Sequence, residues 1–114
     1  MEIDKGLLGG STLLLVLSLL EETDMYGYEI IKELEKRSEK VFQFKEGTLY
    51  PVLHKLENNS FVKSYMNSGD NGKERKYYKI TSKGKKKLAE EKEKWQTFST
   101  SVHKVIGGGS NAFA

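Results

Sequence analysis

Thr48, Tyr50, Pro51, His54 and Lys55 share one side of the stretch Glu46–Glu57, while Leu49, Val52, Leu53 and Leu56 recur at helical spacing on the other. The spacing predicts an amphipathic helix whose apolar stripe is buried and whose other side faces outward. A hydroxyl, a phenol, an imidazole and an ammonium on that outer side can donate and accept hydrogen bonds. This is recognition chemistry, suited to base edges and phosphates in a DNA groove. Pro51 is compatible with the first turn, where a backbone N–H would be unpaired in any case. The helix is therefore expected to begin near Lys45–Gly47. On its own the stripe fits an ordinary surface helix equally well.

A second set of residues supplies charge. Between Lys73 and Lys87 stand Lys73, Arg75, Lys76, Lys79, Lys83, Lys85, Lys86 and Lys87 against the single acid Glu74. That local excess of seven, against a net charge of +3 for the whole chain, leaves the remainder acidic. A confined basic patch points to a polyanion at one place on the surface, although a solvated charged face would look the same. Four of these lysines (83, 85, 86 and 87) open the last expected helix. Cations there oppose the positive end of the macrodipole at a cost of a few tenths of a kcal/mol each, and phosphate is the natural acceptor.

Several other classes of chemistry are disfavoured. The chain has no cysteine and two distant histidines, His54 and His103, so thiol catalysis, disulfides and a zinc site are not expected. No paired acids, Ser/His/Asp set or phosphate-cradling glycine loop stands out, and Gly107–Gly109 reads as part of a tail. No enzyme activity, metal or cofactor is expected. The longest apolar run, centred on Leu13–Leu17, is too short to span a bilayer and follows an acidic start, so a cytoplasmic protein with no membrane partner is expected.

The elements that must position these residues read as follows. At 114 residues the chain is one domain in which oligomerisation would help stability. Leu7–Leu20 is apolar nearly all round, so this helix is expected to touch both its own core and a partner subunit, Leu8 included. Glu21–Asp24 ends it, and Thr23 or Asp24 can cap a second helix from about Tyr26 to Ser38, with Gly27, Ile30, Ile31 and Leu34 inward. Val41–Phe44 is an extended connection anchoring one or both phenylalanines. The Glu46–Glu57 helix follows and stops at Asn58-Asn59, residues that tolerate the left-handed conformation. Phe61–Met66 and Arg75–Ile80 flank an Asn/Gly/Asp-rich turn and predict a hairpin. Thr81 or Ser82 can cap a last helix from Lys83 to Ile106. On it Leu88, Trp95 and Val102 are seven apart, as are Glu91, Phe98 and Val105. That seam implies a helix–helix contact with the same helix of a second subunit. The fold class is thus α+β, mostly helical: a winged helix-turn-helix (1–82), a long C-terminal dimerisation helix (83–106) and a flexible tail (107–114).

Three motifs in order carry a family resemblance: Tyr26-Gly27-Tyr28-Glu29-Ile30, Gly47-Thr48-Leu49-Tyr50-Pro51-Val52-Leu53-His54-Lys55-Leu56-Glu57, and Arg75-Lys76-Tyr77-Tyr78-Lys79-Ile80-Thr81-Ser82-Lys83-Gly84. Together they resemble the PadR family of bacterial transcriptional regulators. The short C-terminal part is similar to the small PadR subfamily that includes lactococcal multidrug repressors. The chain departs from the family pattern at Asn59-Ser60, where a charged residue and a glycine are usual. The resemblance implies a homodimeric repressor on a palindromic double-stranded operator, dimerised through its last and first helices.

Candidate DNA contacts are Tyr26, Tyr28, Thr48, Tyr50, Pro51, His54, Lys55, Lys73, Arg75, Lys76, Tyr78, Lys83, Lys85 and Lys86. Candidate interface residues are Leu8, Leu88, Trp95, Phe98, Val102 and Val105. Trp95 has two readings. It can be simple packing, or, as the resemblance implies, one of a pair of tryptophans sandwiching a planar aromatic or cationic effector together with Phe98, Glu91 and Leu15. A winged helix used only for protein–protein contact remains a third class, and the basic wing argues against it.

Overall fold

A computed structural model describes residues 10–69 and 71–107. Helix α1 (Thr12–Glu22) leads through the short strand β1 (Met25–Tyr26) into α2 (Gly27–Arg37) and α3 (Glu46–Asn58), then the hairpin β2 (Val62–Ser68) and β3 (Glu74–Ile80), and the long α4 (Ser82–Ile106). The sheet is antiparallel in the order β1-β3-β2. This is the α+β winged helix-turn-helix with a long C-terminal helix. Leu8 and the tail beyond Gly107 lie outside the described residues.

The core is assembled by periodicity. Val16, Leu17 and Leu20 of α1, Ile30 and Leu34 of α2, and Leu49, Leu53 and Leu56 of α3 meet Val62, Tyr78 and Ile80 of the sheet and Leu88 of α4. Phe44 is buried and Phe42 packs partly against the same cluster, so the connection before α3 is anchored by both rings. Arg37 forks Glu22 with two bonds of 2.7 Å and reaches Glu33 at 2.8 Å, tying the ends of α1 and α2. The Glu22 carboxyl is held below its ordinary range by that guanidinium. The pair is exposed, so it fixes geometry more than it stabilises.

Two expectations about element ends are corrected. Neither Thr23 nor Asp24 caps α2. Met25 and Tyr26 instead pair with Tyr78 and Tyr77 of β3, and Tyr26 becomes the cap, its N–H donating to Glu29 Oε1 at 3.2 Å. Asp24 accepts from the Tyr65 hydroxyl at 2.6 Å, which pushes that phenol up to about 12. At the end of α3 the left-handed residue is Ser60, φ 62°, and not Asn58 or Asn59. The Phe61 and Ser60 N–H groups bond the Leu56 and Glu57 carbonyls at 2.9 and 3.0 Å, a Schellman closure that needs its left-handed residue one step beyond Asn59.

Candidate nucleic-acid interface

Helix α3 presents the side that its apolar stripe requires. Thr48, Pro51, His54 and Lys55 are exposed, and Tyr50 is 44% exposed. Pro51 and His54 lie opposite the core stripe, with Thr48 and Lys55 on one shoulder and Tyr50 and Glu57 on the other. Tyr50 does not simply project outward. Its ring lies over Gly27, where a Cβ would sit 2.6 Å from the hydroxyl oxygen. The first turn of α2 and the front of α3 therefore approach at Gly27, where a Cβ would have to push the end of the Tyr50 side chain aside. Tyr28 is exposed on that turn, with the Lys32 ammonium 5.5 Å from its ring centre.

The hairpin divides by its register. Val62, Ser64 and Met66 pair with Ile80, Tyr78 and Lys76, while Lys63, Tyr65 and Asn67 pair with Lys79, Tyr77 and Arg75. Directly opposed residues share a face, so the first set faces the helices and the second faces away. Tyr78 is consequently a core residue at 4% exposure, its phenol pushed up by burial; its place among the candidate DNA contacts is corrected. On the outer face the Tyr65 and Tyr77 rings stack at 5.7 Å and Tyr26 meets Tyr77 edge-on at 5.4 Å. Arg75 lies over the Tyr26 ring at 4.4 Å and donates to the Tyr26 hydroxyl. Arg75 is thus half-buried and already engaged, in a polar notch lined by Tyr26, Glu29, Asn67, Asn71 and Tyr77. Lys73 and Lys76 remain exposed on the wing.

The start of α4 is fixed by Thr81. Its Oγ1 accepts from the Gly84 N–H at 2.9 Å and donates toward the Ser60 and Phe61 carbonyls at 2.7 and 3.1 Å, and its own N–H bonds the Phe61 carbonyl at 3.0 Å. Gly84 lies against the Phe61 carbonyl, leaving no space for a Cβ. Lys83 and Lys87 both reach over the Phe61 ring, at 5.3 and 5.9 Å, while Lys85 and Lys86 stay exposed.

Farther along α4 the heptad seam splits into two parts. Leu88 is 1% exposed; it belongs to the chain's own core, which corrects its assignment to an intersubunit contact. Beyond it Trp95, Phe98 and Val105 are 46%, 56% and 82% exposed. Trp95 and Phe98 are 6.0 Å apart and line a groove of about 350 Å³ with Gly10, Ser11, Leu14, Glu91 and Lys94. Leu14 and not Leu15 reaches this groove; Leu15 packs against the core instead. Glu91 is paired with Lys87 at 3.7 Å and Lys94 at 3.4 Å.

The residues that sequence reasoning missed are Glu57, which accepts from Ser64 Oγ at 2.5 Å and faces Lys76 at 3.5 Å, and Leu14 with Lys94 in the groove. Glu57 follows the stripe residue Leu56 and lies four after Leu53, so its place on the core's edge was readable from spacing. Among the described residues no acid/histidine group could hold a metal, and no helix is long and apolar enough to cross a membrane.

Known proteins bear directly on this arrangement. An uncharacterised protein of Lysinibacillus sphaericus is 43% identical over 81 residues, spanning 71% of this chain and 74% of its own. A solved transcriptional regulator from Clostridium thermocellum is 35% identical, with a TM-score of 0.82 over 90% of this chain and 99% of its own. A PadR-like transcriptional regulator from Bacillus cereus is 30% identical, also at 0.82, covering 92% and 100%. The sequence profile of the PadR-like transcriptional regulator family matches residues 16–90, a span that takes in α3, the hairpin and the lysine-rich start of α4. With a winged helix, an outward-facing polar helix and a basic wing already in place, this chain belongs to the PadR-like family of transcriptional regulators.

Proposed function

We propose that the protein is a homodimeric repressor that binds a palindromic operator and is released by a planar aromatic or cationic effector. In this reading residues 1–82 carry the DNA, with α3 in the major groove. Thr48, Tyr50, Pro51, His54 and Lys55 meet bases and adjacent phosphates. Tyr26, Tyr28, Lys73, Lys76, Lys83, Lys85 and Lys86 meet the backbone, and Arg75 supports Tyr26. Residues 83–106 hold the dimer through Trp95, Phe98, Val102 and Val105.

The single observation that carries the reading is the exposed outer face of α3, with the first turn of α2 against its front at Tyr50 and the basic hairpin against its last turn at Glu57, both along one shoulder. That is the three-point footprint of a helix in a groove with backbone contacts beside it. The bare apolar half of α4 supports the dimer. A lone chain gains nothing from exposing Phe98, Val105 and Ile106 in a row, and burying that row against a symmetry mate removes it from water. Release rests on the groove at Trp95, which is apolar enough to take a flat ring; Glu91 at its edge is shared with Lys87 and Lys94, so a cationic ligand gains mainly from the Trp95 ring face.

The test is footprinting on the DNA upstream of the protein's own gene, with salt titration. Two protected half-sites about 10 bp apart, or a multiple of that, are expected for a two-fold dimer. A single unpaired half-site, or binding indifferent to salt, would count against the reading.

A further inference from the structure

We infer that Glu57 is a positioning residue that holds Lys76 against the helix-facing side of the wing and so restrains the wing's grip on DNA backbone of any sequence. The inference rests on the DNA-binding reading above. Glu57 occupies the last turn of α3, where the negative end of the helix dipole disfavours an acid. Two partners offset that placement. Ser64 of β2 donates to Glu57 Oε2 at 2.5 Å, and Lys76 of β3 lies 3.5 Å from Oε1. The Ser64 hydrogen bond, followed by the Lys76 charge, holds the carboxyl below its ordinary range, so it is charged under all conditions in which the protein would meet DNA.

The location makes the charge consequential. Ser64 and Lys76 are on the same face as Tyr78, the face turned toward α3. The Lys76 ammonium is also drawn over the Tyr78 ring at 5.5 Å. Lys76 is thereby drawn toward α3 while its side chain stays 50% exposed, and Glu57 already meets part of its charge. A phosphate that reaches Lys76 competes with Glu57. Non-specific binding is almost wholly the release of counterions by cations meeting phosphates. A lysine that arrives already paired contributes little to that release. Glu57 thus weakens the contact of Lys76 with the DNA backbone, in the sequence-independent part of binding, while keeping the hairpin in register with α3.

The experiment is a salt titration of a random-sequence duplex with the full chain, comparing wild type, E57Q, K76Q and the double variant. Glutamine keeps an acceptor for Ser64 and loses only the charge. E57Q should bind several-fold tighter at low salt, with a salt slope steeper by about one unit, the signature of one added phosphate contact. In the K76Q background the same change should leave the slope where it is. Ser64→Ala, which loosens Glu57 without touching either charge, should steepen the slope in the same direction by less. An E57Q slope equal to wild type, or a rise of equal size with and without Lys76, overturns the restraint and leaves the DNA reading standing. A wild-type chain that does not bind duplex at all overturns both.

Discussion

Tyr50 rests on Gly27: the phenol of the recognition helix lies so near the Cα of the preceding helix's first residue that any side chain there would meet the ring. The residue at the front of the outward face is therefore also a strut between the two helices of the helix-turn-helix. Gly27→Ala should push the exposed end of the Tyr50 ring aside and destabilise the fold by at most about 1 kcal/mol, less than overpacking a closed core costs. Gly27→Ala in a Tyr50→Ala background should be nearly silent. Thermal unfolding of the four variants gives the coupling directly, and additive effects would mean the contact is unimportant. Tyr50→Ala should also weaken operator binding far more than binding to random duplex.

The lysines that open α4 do not all do the same work. Lys85 and Lys86 are exposed, whereas Lys83 and Lys87 lie over Phe61 and Lys87 is paired with Glu91. Changing Lys85 and Lys86 together to alanine should flatten the salt dependence of DNA binding by up to about two units, and Lys87→Ala by less than one. An unchanged slope in the Lys85/Lys86 variant would remove this turn from the DNA interface.

Val105 is almost fully exposed in a single chain. Val105→Asp should leave a monomer's stability within about 0.5 kcal/mol, as for most surface changes. In a dimer joined along α4 it would bury a charge, at a cost of several kcal/mol. Sedimentation should therefore show a monomer for Val105→Asp and for Val102→Asp at concentrations where the parent is a dimer. A dimer that survives both changes places the interface elsewhere.

Trp95 is the only tryptophan in the chain, so its fluorescence reports on the groove without interference. Planar dyes should quench it at micromolar concentration, cationic ones more strongly because a cation gains from the Trp95 ring face. Binding followed from the dye's own signal should fall at least tenfold in Trp95→Ala. Undiminished binding in that variant would return Trp95 to a packing role.

The parts legible in the sequence were those with a long period. The stripe of α3, the two strands around an Asn/Gly turn and a cap at Thr81 or Ser82 are all readable within a few residues, the structure choosing Thr81. Strand β1 did not, since two residues have no period and its existence depends on pairing with Tyr77 and Tyr78. The same register decides that Tyr78 faces inward while its neighbour Tyr77 faces outward. Arg75 looked like a free cation because its partner, Tyr26, is 49 positions away. Leu88 and Trp95 belong to one heptad series, yet one is core and the other exposed. Spacing alone cannot tell where a helix stops packing on its own chain, because both kinds of contact want the same apolar side chains.

The joint at Thr81 has a mechanical meaning. Helix α4 has 25 residues, a rigid rod of about 37 Å at about 1.5 Å per residue. Its near end is splinted to the terminus of α3 by Thr81 and by the Gly84 backbone seated on the Phe61 carbonyl, with no flexible linker between them. In the proposed reading, a tilt of a few degrees imposed at the Trp95 end passes through these contacts to the end of α3, with the Thr81 hydroxyl and the Gly84 backbone together as the joint.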